Sequence, residues 1–116
     1  MRVPWWLPFG SVPEVSARSL ADELRGAAPP VLLDVRTPAE FARGHVKGAR
    51  NLPVTSLRDG LSGLGLPPGS AVVAICLSAH RSPPAVRLLR ASGIEARQLR
   101  GGMIAWTSAG LPVVRP

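Results

Sequence analysis

The stretch AVVAICLSAHRSPPAVRLL, residues 71–89, contains an apolar strand, a short polar loop and the start of a helix in one continuous run. Its first six residues are all apolar, which is typical of a strand buried on both faces of a parallel sheet. Ser82 is then expected to cap a helix whose first position is Pro83. Cys76, the last residue of the strand, is the only cysteine of the chain. The stretch therefore predicts a central strand with a thiol at its carboxyl end.

The segments on either side predict further strands and helices in alternation. Apolar side chains recur at helical spacing after Ser16, and a capped helix start with Thr37 followed by Pro38 comes directly after a buried apolar run. Strands are predicted at 31–35, 49–53, 71–76 and 95–99, and helices at 16–25, 37–44, 55–59, 82–92 and 103–110. Alternation with right-handed crossovers predicts an α/β fold, a central parallel sheet with helices on both faces.

Length and composition predict one domain without covalent or metal cross-links. The chain has 116 residues, and we divide it into an extended N-terminal arm, 1–13, and a single domain, 14–116. Three prolines and the aromatic residues Trp5, Trp6 and Phe9 lie in the arm. One cysteine excludes an internal disulfide, and no cysteine and histidine cluster has zinc-site spacing. We expect neither a metal nor a cofactor.

The charge is strongly basic, since fourteen lysine and arginine residues against seven acidic ones give a net charge of +7. The arginines are scattered singly, so we expect attraction for a small anion rather than a nucleic-acid surface. No apolar run approaches the roughly 18 residues that cross a bilayer. We therefore expect no membrane partner, a cytoplasmic protein with a reduced thiol, and a monomer.

The position of Cys76 suggests a reactive site. Reacting groups of open parallel sheets gather beyond the carboxyl ends of the strands, where loop amides and helix N-termini can bind an anion. The start of the following helix and the guanidinium of Arg81 favour a thiolate over a thiol. The alternative is a buried cysteine that serves only as a small hydrophobic residue.

Three motifs resemble those of rhodanese-like domains. DVRTPAEFARGHVKGARNLP (34–53) resembles the family's signature, CLSAHRS (76–82) its active-site loop, and GGMIAW (101–106) its C-terminal signature. The resemblance runs from about residue 14 to 113. It implies a five-stranded parallel sheet and a thiosulfate sulfurtransferase in which Cys76 takes a sulfane sulfur and carries it as a persulfide. The donor would be thiosulfate or a persulfide, the acceptor a thiol or a protein, and the substrate-binding residues Leu77, Ser78, Ala79, His80, Arg81 and Ser82.

Two alternatives stay open beside this enzyme. The chain could be a sulfur-relay or regulatory binding module with little turnover of small molecules. It could also be a phosphatase or arsenate reductase of the same fold, but those relatives have five residues between cysteine and arginine, whereas four separate Cys76 from Arg81 here. Ala79 occupies a position where many active relatives have glycine, and a left-handed backbone there would cost about 1–2 kcal/mol.

The remaining marked residues have structural interpretations. Asp34, Arg36 and Glu40 are expected to form a structural charge cluster beside the site, because buried charges persist only when they are paired. The alternative for Arg36 is a position that faces the substrate. His45 is expected to be a hydrogen-bonded structural histidine and Trp106 a core residue. His80, inside the loop, is as well suited to contact with substrate as to simple exposure.

Overall fold

A computed structural model describes residues 12–78 and 81–116 of the chain. Except for Val12 and Pro13, the predicted arm lies outside the described residues. The strands are β1 Glu14–Val15, β2 Val31–Asp34, β3 Arg50–Asn51, β4 Ala71–Ile75 and β5 Glu95–Leu99. The helices are α1 Ala17–Leu24, α2 Pro38–Arg43, α3 Leu57–Gly60, α4 Ser82–Ala91 and α5 Gly102–Ser108, and short 3-10 turns, Val54–Ser56 and Leu61–Leu64, flank α3.

The five strands form one parallel sheet in the order β1-β5-β4-β2-β3, so β4 is its central strand, as predicted. The α/β prediction with a five-stranded parallel sheet is confirmed. The sequence pattern did not reveal β1, which pairs with β5 through Glu14 beside Gln98 and Val15 beside Leu99. With only two residues, β1 is too short to show strand periodicity.

Alternate side chains of β4 enter two different apolar clusters. Val73 and Ile75 pack in the cluster that includes residues of α1 and α5. Val72, Ala74 and Cys76 pack in the other, with residues of α3 and α4. Because successive side chains of a strand point to opposite faces, helices cover the sheet on both sides. Cys76 therefore faces α4.

The start of α4 differs from the prediction that Ser82 caps it. Ser82 is the first residue of the helix, Arg81 occupies the cap position, and no side chain caps the helix. A capping side chain accepts a hydrogen bond from the second or third amide of the helix, and here those positions are Pro83 and Pro84, which have no N–H. The prediction was wrong because Ser82 itself belongs to the helix, and its hydroxyl bonds to Gln98 rather than to a helix amide.

The two other predicted helix starts are confirmed. Ser16 caps α1, accepting from the amide of Ser19 at 3.2 Å. Thr37 and Glu40 form a reciprocal capping box at the start of α2, with Pro38 as the first helical residue. The capping box fixes the Glu40 carboxylate at the end of the sheet where Cys76 lies.

His45 and Trp106 are buried with hydrogen-bond partners, as predicted. The ring of His45 stacks on Phe41 with centroids 3.6 Å apart, and its Nδ1 lies 2.8 Å from the carbonyl oxygen of Phe41. A carbonyl only accepts, so Nδ1 carries the hydrogen. The indole N–H of Trp106 donates to the carbonyl of Pro112 at 2.9 Å. Within the described residues, no helix combines the length and apolar character that crossing a bilayer requires.

Candidate active site

Cys76 follows β4 directly and its side chain is fully buried. Its Sγ lies 3.4 Å from the hydroxyl oxygen of Ser82, the first residue of α4. The Ser82 hydroxyl in turn donates to Oε1 of Gln98 in β5 at 2.7 Å. The candidate nucleophile is thus connected to the next helix and to the neighbouring strand.

The N-terminus of α5 holds the first two peptide carbonyls of the loop. The amide of Met103 donates to the carbonyl of Cys76 at 2.8 Å, and that of Ile104 to the carbonyl of Leu77 at 3.0 Å. The backbone approaches this closely because Gly102 has no side chain: a Cβ there would lie 2.3 Å from the Cys76 carbonyl oxygen, and its φ is +58°. In the sequence Gly102 stood out only as part of the GGMIAW motif, whereas in the structure this glycine lets α5 anchor the loop.

This anchoring sets the direction of two loop amides. In a trans peptide group the C=O and N–H point in opposite directions, and the described chain contains no cis peptide. Because the carbonyls of Cys76 and Leu77 point at α5, the N–H groups of Leu77 and Ser78 point away from it. These two amides are turned toward the loop side.

Arg81, at the end of the loop, forms a bidentate ion pair with Glu40 of α2, with N···O distances of 2.6 and 2.8 Å. Hydrogen bonding from Arg81 is the main cause that lowers the pKa of Glu40 from 4.5 to about 2. The same bonds raise the pKa of Arg81 above its usual value. Glu40 uses two of the five N–H donors of the guanidinium, so Arg81 is held in one orientation beside the loop.

Asp34 and Arg36 form a second, separate pair. Both side chains are buried, and the guanidinium donates to the carboxylate at 2.8–3.2 Å. Arg36 also donates to the carbonyl of Gly44 at 2.8 Å. The three residues predicted as one charge cluster therefore belong to two ion pairs, and Glu40 is the member that contacts the loop.

The other predicted loop residues are only partly described. Leu77 is 42% exposed, and Ser78 follows it. Ala79 and His80 lie outside the described residues. Ser82 contributes its hydroxyl, and Pro83 and Pro84, which follow it, have no N–H to offer an anion. The N–H donors for an anion must come chiefly from the loop itself.

A cleft of about 390 Å³ opens beside Leu77, between α2 and α5. The cleft is lined by the exposed apolar side chains of Leu77, Ile104 and Val113 and by the charged residues Arg36, Glu40, Arg43 and Arg115. A larger groove of about 650 Å³, lined by parts of α1 and by Trp106, contains no loop residue. The smaller cleft is the one that adjoins the candidate site. Among residues 12–78 and 81–116, no three histidine, cysteine or acidic side chains are grouped as a metal site requires.

Comparison with known proteins identifies the family. Residues 16–109 match the family model of the rhodanese-like domain. The chain belongs to the rhodanese-like domain family. A sulfurtransferase of Allochromatium vinosum is 38% identical over 106 residues, which cover 90% of this chain and 97% of that protein. A rhodanese-related protein of Thermoplasma volcanium has the same fold, with a TM-score of 0.80 at 29% identity over 89% of this chain and 98% of that one.

The relatives of this rhodanese-like domain are not all single-domain proteins. An HTH-type transcriptional regulator of Mycobacterium tuberculosis is 38% identical over 107 residues, which cover 90% of this chain. This chain spans about half the length of that regulator, at 46%. The same domain thus accounts for nearly all of one relative and for about half of another.

Two residues of the rhodanese-like site were missed by the sequence analysis. Gln98 was predicted only as part of a strand, and Glu14 only as the first residue of the domain. The available signal was the inward position of Gln98, since its neighbour on the same face of β5, Ala96, is fully buried. A polar side chain at such a position needs a hydrogen-bond partner.

Proposed function

We propose that this rhodanese-like domain is a sulfurtransferase that carries a sulfane sulfur as a persulfide on Cys76. The observation that carries the proposal is the placement of Cys76 at the carboxyl end of the central strand, followed by a loop whose carbonyls are anchored by α5. The amides of Leu77 and Ser78 point to the loop side, and Arg81 adds positive charge there. A relative named sulfurtransferase aligns with 90% of this chain and 97% of its own length.

The proposed reaction with thiosulfate has two steps. The thiolate of Cys76 attacks the outer sulfur, a bond forms from Sγ to that sulfur, and the sulfur–sulfur bond of thiosulfate breaks with its electron pair leaving on sulfite. The products are a cysteine persulfide anion and sulfite, so charge and atoms balance. The loop amides and Arg81 stabilise the anionic oxygens. A second thiolate, or cyanide, then attacks the outer persulfide sulfur and releases Cys76 as a thiolate.

The test is the intact mass of the reduced protein after incubation with thiosulfate, beside Cys76→Ser. The expected result is a gain of one sulfur atom on the wild type only, and its removal by cyanide or a thiol. An unchanged mass with thiosulfate and with persulfide donors would refute the proposal. Hydrolysis of a phenyl phosphate or reduction of arsenate would instead identify the phosphatase or arsenate reductase alternative.

A second candidate function, sulfur delivery to a protein acceptor, is favoured by the cleft beside Leu77. Three of the four exposed large apolar side chains of the described residues, Leu77, Ile104 and Val113, line it. Arg43 and Arg115 lie in the same cleft. Such a surface suits an acceptor whose thiol is flanked by apolar and acidic residues.

Peptides test this second candidate. Two synthetic peptides with one cysteine and one leucine, one flanked by aspartates and the other by lysines, are offered to the persulfide form. We expect faster transfer to the acidic peptide than to the basic one, because Arg43 and Arg115 attract it, and slower transfer to both peptides in Ile104→Ser, which removes an apolar contact. The matched control is Val114→Ser, because Val114 is also exposed but lies outside the cleft. Equal transfer to both peptides would refute delivery to such a protein acceptor and favour small-molecule acceptors instead.

A further inference from the structure

A chain of hydrogen bonds runs from Cys76 to the edge of the sheet. Sγ of Cys76 contacts the Ser82 hydroxyl, which donates to Oε1 of Gln98. Nε2 of Gln98 donates to the carboxylate of Glu14 at 3.1 Å, and Glu14 also accepts from Nε of Arg100 at 2.9 Å. Cys76, Ser82 and Gln98 are buried, and Glu14 in β1 lies at the outer end. These hydrogen bonds therefore connect the nucleophile, across β5, to the edge strand β1.

The outer end of the chain fixes the direction of every bond in it. An ionised carboxylate only accepts hydrogen bonds, so Gln98 must turn its NH₂ toward Glu14 and its oxygen toward Ser82. The single hydrogen of the Ser82 hydroxyl is then directed at Gln98. What remains for Cys76 is a lone pair on the Ser82 oxygen, which accepts from a thiol S–H. Hydrogen bonds from Arg100 and then from Gln98 lower the pKa of Glu14, which keeps it ionised.

The bond to Ser82 must change when Cys76 reacts. Sγ of a thiolate or a persulfide has no hydrogen and can only accept, so the Ser82 hydroxyl has to turn its hydrogen from Gln98 to Sγ. Turning leaves the buried oxygen of Gln98 without a donor, and an unpaired buried acceptor is costly. Glu14 prevents the compensating rotation of the amide, because its carboxylate would then face the amide oxygen.

We infer that Gln98 and Glu14 are positioning residues that direct the Ser82 hydroxyl and thereby restrain the reactivity of Cys76. The inference rests on the proposed nucleophilic role of Cys76. Neither residue contacts the reacting atoms, and both act through Ser82. The guanidinium of Arg81 interacts electrostatically with Cys76 from the start of α4, and Glu40 and the Asp34–Arg36 pair are the other charges beside this end of the sheet. The variants below leave all of these groups in place.

The experiment measures the rate of Cys76 alkylation by iodoacetamide as a function of pH, by intact mass of the full chain. Cys76 is the only cysteine, so the signal is unambiguous. In Gln98→Met the Ser82 hydroxyl loses its competing acceptor and donates to the thiolate. We expect the alkylation profile to move to lower pH by about one unit, the size of one hydrogen bond to a charged group. In Glu14→Lys, Gln98 faces a donor instead of an acceptor, so its amide turns and no longer accepts from Ser82. We therefore expect the alkylation profile to shift in the same direction.

Two comparisons make the result specific. When Gln98→Met is combined with Ser82→Ala, it should produce no shift relative to Ser82→Ala alone, because the hydroxyl that transmits the effect is absent. Glu23→Lys makes the same charge change at a carboxylate that pairs with Arg97 of β5 but is not part of the chain to Cys76. Glu23→Lys should leave the alkylation profile unchanged. In the Ser82→Ala variant, Glu14→Lys should shift the profile no more than Glu23→Lys does. Thermal unfolding followed by circular dichroism checks that each variant is folded.

Three results would overturn the inference: an unshifted profile in folded Gln98→Met, shifts of equal size with the serine present and in the Ser82→Ala variant, or an unshifted profile in Glu14→Lys. If Gln98→Met fails to fold, Glu14→Lys alone tests the inference, because Glu14 lies at the sheet edge, where a substitution is tolerated more easily. Sulfur loading from thiosulfate is recorded separately for the wild type. Failure to load would refute the proposed function, whereas the alkylation comparison tests the positioning role by itself.

Discussion

Gly102→Ala should damage both stability and sulfur loading, because Gly102 lies against the backbone of the loop. A Cβ at this position would lie 2.3 Å from the Cys76 carbonyl oxygen and 2.6 Å from the carbonyl carbon and oxygen of Leu77. These atoms belong to the backbone and cannot rotate away. Relief requires α5 to move from the loop, which stretches the bonds from Met103 and Ile104 and releases the peptide groups that orient the Leu77 and Ser78 amides.

The magnitude has two parts that a control can separate. An alanine in the left-handed region costs about 1–2 kcal/mol on its own. Gly110, just beyond the other end of α5, also has a positive φ, +73°, but a Cβ there would meet no atom within 4 Å. Gly110→Ala therefore measures the backbone cost alone. The steric conflict and the two loosened hydrogen bonds should bring the total for Gly102→Ala to about 3–5 kcal/mol.

Urea unfolding of both variants gives the difference in stability, and intact mass after thiosulfate treatment gives the rate of sulfur loading. We expect Gly110→Ala to load sulfur at the wild-type rate. Gly102→Ala should need a much higher thiosulfate concentration, because the amides that bind the anion are no longer held. If the two variants have the same stability and the same loading rate, the anchoring role of α5 is refuted.

Three further predictions concern the two ion pairs and the loop. Glu40 has a pKa of about 2 in the folded protein against 4.5 ordinarily, so its stabilisation is complete above pH 4.5 and is lost as pH falls toward 2. With solvent screening of this partly exposed pair, Glu40→Gln should cost about 1 kcal/mol at neutral pH, and the difference from wild type in urea unfolding should vanish on acidification; a constant difference would contradict this. Asp34→Asn leaves the buried Arg36 without a counter-charge and should lower the free energy of unfolding by about 3–5 kcal/mol, and a loss below about 1 kcal/mol would disprove the buried pair. The wild-type loop should load sulfur with Ala79 present, and a requirement for Ala79→Gly before any loading would disprove a working loop.

Most of the fold could be predicted from local sequence because its signals are local. The apolar run of β4, the spaced apolar residues of α1 and the Thr37-Pro38 start of α2 each define an element without reference to the rest of the chain. β1 had no such signal, since it gains its strand conformation only by pairing with β5. Ser82 misled for a related reason, because its hydroxyl bonds to Gln98 of β5, a partner that the local sequence does not show.

The site could be predicted only as far as its motifs reach. Cys76 and Arg81 lie in one short segment, but Glu40 pairs with Arg81 from 41 residues away, and the partner could not be read from either segment. The role of Gly102 also depends on a contact between chain segments that spacing does not report. Gln98 is one residue of a strand in the sequence, and only the fold places it between Ser82 and Glu14.

The geometry divides the work of holding an anion between backbone and side chains. Arg81 lies beside the loop, where Glu40 fixes its orientation and offsets part of its charge. The first turn of α4 offers few amides because of Pro83 and Pro84. In the proposed site the anion therefore depends most on the loop backbone, whose first two peptide groups are oriented by α5, while Arg81 adds positive charge. A cradle made chiefly of N–H groups of fixed direction selects an oxyanion by shape as well as by charge. Its selectivity therefore depends on the one glycine, Gly102, that lets α5 reach the loop.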